Sequence, residues 1–113
     1  MSALEHEIQR DVIELYERVG CVVIRLAQPH RLGSGTRQTR GIPDLYVFPP
    51  LRRGDELDAP FWHEVKKPDG KQRPEQKTFE THCVARRVAY VLGGTTEAIA
   101  QLRRIRLIRR ENQ

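Results

Sequence analysis

Two short stretches of the sequence carry acidic side chains and a lysine that could act together on one phosphate. Asp44 is the fourth residue of a Gly-Ile-Pro-Asp-Leu run, and Glu64 precedes Lys66 by two residues. Side chains of a β-strand alternate between its two faces, so Glu64 and Lys66 would share one face while His63 projects from the other. Carboxylates suit Mg²⁺ or Mn²⁺, and an ammonium can stabilise charge that develops on a phosphate oxygen. The pattern indicates metal-assisted hydrolysis of a phosphodiester.

A third acid could join this group from the first predicted helix. Glu5 precedes Ile8 by three residues and Val12 by seven, which places it beside the apolar stripe, whereas Glu7 projects to another side. A first-turn acid can also serve only the helix dipole, and the spacing does not decide between the two roles. The main-chain carbonyl of Val65 could be a fourth ligand. The predicted metal ligands are therefore Glu5, Asp44, Glu64 and Val65, with Glu7 as the alternative on the helix.

The elements that would position these residues follow from the spacing of apolar side chains. Residues 4–19 repeat apolar side chains at helical intervals, and a glycine follows them. Residues 21–26 are β-branched and mostly apolar, which is typical of a strand buried on both faces. The segments 42–48 and 61–66 then predict a hairpin across a polar, turn-rich connection. The two acids come close only if the strand register suits, and the sequence does not fix that register.

The second half of the chain predicts a helix, a strand and a further helix. Pro74 suits the first position of a helix, on which Gln76 and Cys83 share one face. Gln76 would therefore point toward the sheet, either to satisfy a main-chain group or to support the metal site. A buried strand at 88–92 follows. The basic tail at 103–113 could extend the last helix, add an edge strand or pack on a second subunit.

Composition and charge favour a polyanionic partner. The 113 residues carry a formal net charge of +5 and have a pI near 9.7, which points first to nucleic acid. We expect one domain over residues 1–113, because a chain of this length is too short for two cores. The Gly/Ser-rich segment 28–40 could be an ordinary exposed connection, but contact with phosphates is the favoured role. The cations expected to contact nucleic acid are Arg31, Arg37, Arg40, Lys67 and Lys71.

Several other classes of protein find no support in the sequence. No apolar run approaches the length of a membrane span and no signal-peptide pattern opens the chain, so we expect a cytosolic protein of a bacterium or a phage-infected host. Cys21 and Cys83 are expected to be reduced and buried, and the histidines form no zinc-ligand pattern with them. The Gly-x-Ser-x-Gly motif of serine hydrolases and the phosphate-binding P-loop are both absent from the sequence.

The order and spacing of these motifs resemble the VRR-NUC branch of the PD-(D/E)XK nuclease superfamily. The resemblance covers residues 4–92 and rests on Glu5-x-x-x-Gln9, the Gly-Ile-Pro-Asp-Leu run, Glu64-Val65-Lys66 and Gln76. It implies an α/β fold of the restriction-endonuclease type, with a mixed central sheet flanked by helices in the order αβββαβα. By the same resemblance, Mg²⁺ or Mn²⁺ would lie where the second and third strands diverge. The catalytic residues would then be Glu5, Asp44, Glu64, Lys66 and Gln76.

The substrate that the resemblance implies is branched DNA. Short members of this family look like homodimers that cut structures such as Holliday junctions in DNA repair. The chain would then be a metal-dependent, structure-specific endodeoxyribonuclease. Two alternatives stay open: a non-catalytic nucleic-acid-binding module of the same fold, and a nuclease that prefers duplex DNA or RNA.

Overall fold

The helices and strands follow one another in the predicted order αβββαβα. A computed structural model describes residues 1–26, 40–52 and 57–109. Within these residues the elements are α1 (Ala3–Arg18), β1 (Val22–Arg25), β2 (Leu45–Phe48), β3 (Phe61–Val65), α2 (Pro74–Ala85), β4 (Tyr90–Gly93) and α3 (Thr95–Arg104). The predicted elements are thus confirmed, with small shifts at their ends. In the same three ranges, no helix combines the length and the apolar character that crossing a membrane requires.

The four strands form one mixed sheet in the order β1-β2-β3-β4. β2 pairs antiparallel with both β1 and β3, whereas β3 and β4 run parallel and are connected through α2. Leu45 lies opposite His63 in the hairpin of β2 and β3. When this register is continued by one residue, Asp44 lies opposite Glu64, and directly opposed residues project from the same face. The hairpin therefore has the register that the two acids need in order to meet.

Helices α1 and α3 contact each other and cover one face of the sheet. Tyr16 of α1 packs edge-on against Phe61 and His63 of β3, with ring centroids 5.4 and 5.6 Å apart. The residues of β2 and β3 that project toward these helices are at most 1% exposed: Leu45, Val47, Phe61, His63 and Val65. This layer holds the main core, whose fully buried members include Val12, Tyr16, Leu45, Val47, Phe61, Ala98 and Leu102.

The opposite face of the sheet is covered by α2 over only part of its width. Phe79 of α2 packs against Trp62 of β3, with ring centroids 5.1 Å apart, and α2 also contacts β4. β1 lies at the far edge, where Val22 is 59% exposed and Ile24 is 41% exposed. The prediction that the strand at 21–26 is buried on both faces is therefore wrong. Its apolar residues indicated a strand correctly, but α2 packs on β3 and β4 and leaves the edge strand open.

The chain beyond α3 returns to the protein's own core. Ile105, Leu107 and Ile108 are partly buried and pack against the α1 and α3 layer. Arg52 forms an ion pair of 2.6 Å with Asp58 and also donates a hydrogen bond to the Ile105 carbonyl, which ties the β2–β3 connection to this segment. The basic tail predicted at 103–113 thus begins within α3, which ends at Arg104, and its described remainder up to residue 109 adds no strand.

Candidate active site

Asp44 and Glu64 meet at the end of the sheet where β2 begins and β3 ends. Their exposed fractions are 6% and 3%, so both carboxyl groups are buried. The main-chain N–H of Val65 donates a hydrogen bond of 2.9 Å to Asp44 Oδ2, which fixes the orientation of that carboxylate. The two carboxyl groups also interact directly. The structure thus brings together the two acids that the sequence motifs paired.

Gly41 allows the turn before Asp44 to approach the first turn of α2. Its φ angle of +81° is in the left-handed region, and a Cβ atom there would lie 2.2 Å from the Glu75 carbonyl oxygen. The same Cβ would lie 2.9 Å from the main-chain nitrogen of Gln76. Only a residue without a side chain fits between these main-chain atoms. The glycine of the Gly-Ile-Pro-Asp-Leu run therefore helps to hold Asp44 beside the start of α2.

Gln76 connects the start of α2 to Glu64. It is 3% exposed, and its Nε2 donates a hydrogen bond of 2.9 Å to Glu64 Oε2. Its Oε1 accepts a hydrogen bond of 2.8 Å from the main-chain N–H of Arg73. The two roles considered for Gln76 from the sequence are thus combined, since its side chain satisfies a main-chain group and orients an acid of the site.

Burial shifts both carboxyl groups toward the protonated form. Desolvation is the largest cause that raises the pKa of Glu64 to about 8, and the negative charge of Asp44 adds to it. Burial also raises the pKa of Asp44, while hydrogen bonds from the Val65 N–H and from Glu64 oppose the rise. The charges of Lys66 and Arg73 lower the pKa of Glu64. Burial thus favours the protonated form of both carboxyl groups, and their proximity disfavours the state in which both are ionised.

This donor set fits a hard divalent cation. Glu64 Oε1 is buried, and no N–H or hydroxyl group of the described residues donates a hydrogen bond to it. A pair of carboxylates that shares a proton can bind a cation in its place, since both ligands are anionic oxygens. Across residues 1–26, 40–52 and 57–109, however, no three His, Cys, Asp or Glu side chains are grouped closely enough to hold an ion. The protein supplies two acidic ligands there, and the Val65 carbonyl as a further ligand stays a prediction.

Glu5 has a local role at the start of α1, which the sequence left open as the alternative to metal binding. Its Oε1 lies 3.4 Å from the main-chain nitrogen and 3.3 Å from the hydroxyl of Ser2, in a capping box at the start of α1. Its charge nevertheless contributes to raising the pKa of Asp44, so the carboxylate lies on the side of the site. Glu7 is exposed. Glu5 as a third metal ligand stays a prediction, and ligation would require its carboxylate to leave the cap.

Lys66 lies where β3 ends, beside the acidic pair. Its main-chain N–H donates a hydrogen bond of 3.2 Å to the Gly93 carbonyl, which continues the pairing of β3 with β4. Its ammonium lowers the pKa of both Asp44 and Glu64. The side chain is half-buried and lines a cleft of about 620 Å³ between α1, the loop after β3 and the start of α3. A substrate could therefore reach Lys66 from solvent through this cleft.

The cations predicted to contact nucleic acid lie in two segments. Arg40 is exposed at the turn that leads to Asp44. In the loop after β3, Lys71 is exposed and the Lys67 ammonium lies 4.0 Å from Asp69 Oδ1, at the edge of ion-pair distance. Arg31 and Arg37 lie outside the described residues. The described cations thus flank the acidic pair on both sides in sequence.

Arg73 is a site residue that sequence reasoning missed. It is the N-cap residue of α2, and its main-chain N–H is held by the side chain of Gln76. Its charge acts on Glu64 as that of Lys66 does. The signal was present in the sequence, because Arg73 directly precedes the helix-starting proline and lies three residues before Gln76. An N-cap residue and the third residue of its helix are neighbours in space.

A search of solved structures finds one with the same fold, described as a VRR_NUC domain. The match covers 89% of this chain and 95% of that chain, with a TM-score of 0.63 and 24% sequence identity. No protein-family model matches the sequence, and a search of curated proteins finds no relative. The chain therefore has the fold of a VRR_NUC domain, as the resemblance predicted, and its mixed four-stranded sheet with flanking helices agrees with that fold.

Proposed function

We propose that the chain is a Mg²⁺- or Mn²⁺-dependent endonuclease that cuts branched DNA. One observation carries the proposal. The buried acids Asp44 and Glu64 lie together with one unpartnered carboxylate oxygen, and the ammonium of Lys66 is near enough to act on both. A purely structural acid pair would have its oxygens satisfied by the protein. One oxygen of this pair receives no such hydrogen bond from the described residues, and Lys66 beside the pair lines a cleft that is open to solvent.

The acids and their partners hold the ion in this reaction. Asp44 and Glu64 are the main ligands, and the Val65 carbonyl and Glu5 are the further ligands that we propose. When bound, the ion would stabilise the charge on the phosphoryl oxygens as a Lewis acid and would lower the pKa of a nearby water. The hydrogen bond from Gln76 keeps Glu64 in one orientation, so that little reorganisation is needed when substrate binds.

Lys66 acts directly on the reacting groups. Its position at the end of β3, half-buried beside the acids, allows its ammonium to orient the attacking water or to donate a hydrogen bond to a phosphoryl oxygen. Its charge also favours the ionised form of Glu64 that an ion requires. The residues that we propose as catalytic are therefore Glu5, Asp44, Glu64, Lys66 and Gln76.

The charge and fold of the chain support DNA as the substrate. The net charge of +5 favours binding to a polyanion, and Arg40, Lys67 and Lys71 surround the acidic pair in the sequence. The fold shared with a VRR_NUC domain agrees with a nuclease. Arg31 and Arg37 belong to the same proposed contact with phosphates.

A homodimer is part of the proposal. A four-way junction offers two equivalent strands for cutting, and two copies of the chain would place one acidic pair at each. The open edge of the sheet supports a protein contact, because Val22, Ile24 and Phe48 expose 59%, 41% and 42% of their surfaces on one face. Exposed apolar clusters of this kind are typical of interaction sites.

The decisive experiment compares labelled DNA substrates of different shape. Four-way junction, flap, duplex and single strand, and an RNA duplex, are incubated with Mg²⁺, with Mn²⁺ or with a chelator. We expect the junction to be cut fastest and the chelator to stop cleavage. Asp44→Asn should abolish cleavage and leave junction binding nearly intact, because a neutral amide is a poor ligand for the ion. Light scattering of the same sample should give twice the 13.1 kDa mass of the chain.

The outcomes separate the alternatives. Binding of junction without cleavage in either metal would replace the enzyme with a nucleic-acid-binding module. Faster cleavage of duplex or RNA would keep the enzyme and change its substrate. Full activity of Asp44→Asn at low metal concentration would remove Asp44 from the ligand set.

A further inference from the structure

Arg73 is fixed to the acidic pair by its main chain. Its N–H donates a hydrogen bond of 2.8 Å to Gln76 Oε1, and Gln76 Nε2 donates one of 2.9 Å to Glu64 Oε2. Only one side chain therefore separates the Arg73 backbone from the carboxylate. Because Gln76 is buried and donates and accepts at the same time, this connection leaves Arg73 little freedom to move relative to Glu64.

The guanidinium of Arg73, in contrast to its main chain, faces solvent. Its side chain is 63% exposed, whereas Asp44 and Glu64 are almost completely buried. Its Nε lies 3.6 Å from Glu75 Oε1, which is longer than the ~2.7–2.9 Å of a charged hydrogen bond. The guanidinium is nevertheless close enough to Glu64 to lower the pKa of that carboxyl. Since Gln76 links the Arg73 main chain to buried Glu64 and the Arg73 side chain is exposed, a cation lies between solvent and the acids.

Arg73 and Lys66 reach the acids from different elements. Lys66 follows the last residue of β3, and Arg73 precedes the first residue of α2, so the loop between them carries one cation at each end. Phosphoryl transfer spreads negative charge over several oxygens, and one ammonium cannot contact all of them. A guanidinium has a planar fork of donors that can contact two phosphate oxygens at once.

We propose that Arg73 donates hydrogen bonds to the scissile phosphate of the bound nucleic acid in this site, from the start of α2, whereas Lys66 reaches the site from the end of β3. The inference rests on the proposed function, because it names a residue that contacts the substrate of that same reaction. The guanidinium makes only a weak contact with Glu75, so it can donate hydrogen bonds to a phosphate instead. Because this phosphate carries the charge that develops during the reaction, the contact lowers the energy of the transition state.

The test compares Arg73 with a matched cation on the same helix. Lys77 is exposed one turn further along α2, so Lys77→Gln removes the same charge from the same element without reaching the acids. Arg73→Gln and Arg73→Lys are measured beside it in single-turnover cleavage of the four-way junction with Mn²⁺. We expect Arg73→Gln to slow cleavage about a hundredfold, the loss typical of one donor to a transition state. Arg73→Lys should recover part of the rate, and Lys77→Gln should stay within about twofold of the wild type.

Two further measurements distinguish a substrate contact from a structural effect on Glu64. The urea midpoint should be unchanged in Arg73→Gln, because the hydrogen bond to Gln76 comes from the main chain. Mn²⁺ affinity by calorimetry should change far less than the cleavage rate. If Mn²⁺ affinity falls in step with the rate, Arg73 acts by positioning Glu64, and the proposal is overturned. Equal rates for Arg73→Gln and Lys77→Gln would overturn it as well.

Binding measurements test the contact even if the wild type cuts no DNA. Junction affinity is measured in a chelator at several salt concentrations. A phosphate contact predicts that Arg73→Gln lowers the slope of log affinity against log salt by about 0.9, whereas Lys77→Gln leaves it unchanged. An unchanged slope in Arg73→Gln counts against the contact. Absence of cleavage by the wild type counts against the proposed function, so the two failures give different results.

Discussion

Strand β3 buries a polar side chain on each of its two faces. The described part of the protein supplies hydrogen-bond partners to all polar atoms of one side chain but not of the other. On the α1 side, His63 is 0% exposed, with Nδ1 2.6 Å from the Tyr16 hydroxyl oxygen and Nε2 3.0 Å from the Gly93 carbonyl oxygen. A carbonyl can only accept, so Nε2 carries the proton and Nδ1 accepts from Tyr16. On the α2 side, Glu64 has one oxygen paired with Gln76 and one without a partner among the described residues.

The difference separates a polar group that completes the core from one that is available to a ligand. Burial favours the neutral form of both groups, and it lowers the pKa of His63 to about 4 while it raises that of Glu64 to about 8. Neutral His63 uses both ring nitrogens within the protein. Neutral Glu64 exists only because it holds a proton, and a divalent cation can replace that proton. Neighbouring residues of one strand can therefore have a structural and a chemical role.

The largest expected effect is the loss of cleavage in Glu64→Gln without loss of stability. Glutamine keeps the shape of the side chain and can still accept from Gln76, but it is a poor ligand for a divalent cation. We expect the single-turnover rate to fall at least about a thousandfold, or about 4 kcal/mol of activation free energy. The free energy of unfolding in urea should be equal to that of the wild type or higher, because a buried carboxyl with an unpaired oxygen is removed. A large loss of stability would mean that Glu64 is a structural residue like His63.

The sequence predicted which residues project from each face of β3, but not which hydrogen bonds their polar groups make. Alternation along a strand is a local property, so the separation of His63 from Glu64 and Lys66 followed directly from residue spacing. Pro74 likewise indicated the start of α2. The register that places Asp44 opposite Glu64 depends on pairing between distant segments, which no local pattern determines.

The burial of β1 was beyond sequence reasoning for a related reason, and the spacing of Arg73 from Gln76 indicated only that the two are neighbours, not what they contact. An apolar strand can be covered on both faces or lie at an edge, and the extent of α2 over the sheet decides between the two. The position of Arg73 near Glu64 depends on the hydrogen bonds of Gln76, which bring a loop residue to the site. Spacing predicted which residues share a face, whereas contacts between elements decided what each residue does.

The contribution of His63 to stability should depend on pH. His63 has a pKa of about 4 when folded, against 6.5 for an unperturbed histidine, so the unfolded chain binds a proton more readily. Its contribution to the free energy of unfolding is therefore fully present above pH 6.5 and is lost as the pH falls through 4. The difference corresponds to about 3 kcal/mol in total, of which about 2 kcal/mol is lost between pH 7 and pH 5.

Urea unfolding of the wild type and of His63→Gln at the two pH values isolates this contribution. The raised pKa of Glu64 acts in the opposite direction on stability in both proteins, so it cancels when their pH dependences are compared. We expect the loss of stability from pH 7 to pH 5 to be about 2 kcal/mol larger in the wild type than in the variant. Identical pH dependences would show that His63 is not held neutral by the core.

The smallest expected effect comes from removal of one hydroxyl group. Tyr16→Phe keeps the ring that packs on Phe61 but leaves His63 Nδ1 without a donor in the core. We expect the free energy of unfolding in urea to fall by about 1–2 kcal/mol, the cost of a buried polar atom that loses its hydrogen bond. Tyr46→Phe is the matched control, since Tyr46 is half-buried on the α2 face and its hydroxyl makes no hydrogen bond with the described residues.

Activity measurements on the same two variants decide whether the faces of β3 are independent. The cleavage rate per folded molecule should be unchanged in Tyr16→Phe, because His63 and Tyr16 lie on the side of the sheet away from Gln76 and Glu64. If Tyr16→Phe loses cleavage while its stability is intact, the pair of His63 and Tyr16 takes part in the chemistry. The full satisfaction of a buried side chain would then no longer indicate a structural role in this protein.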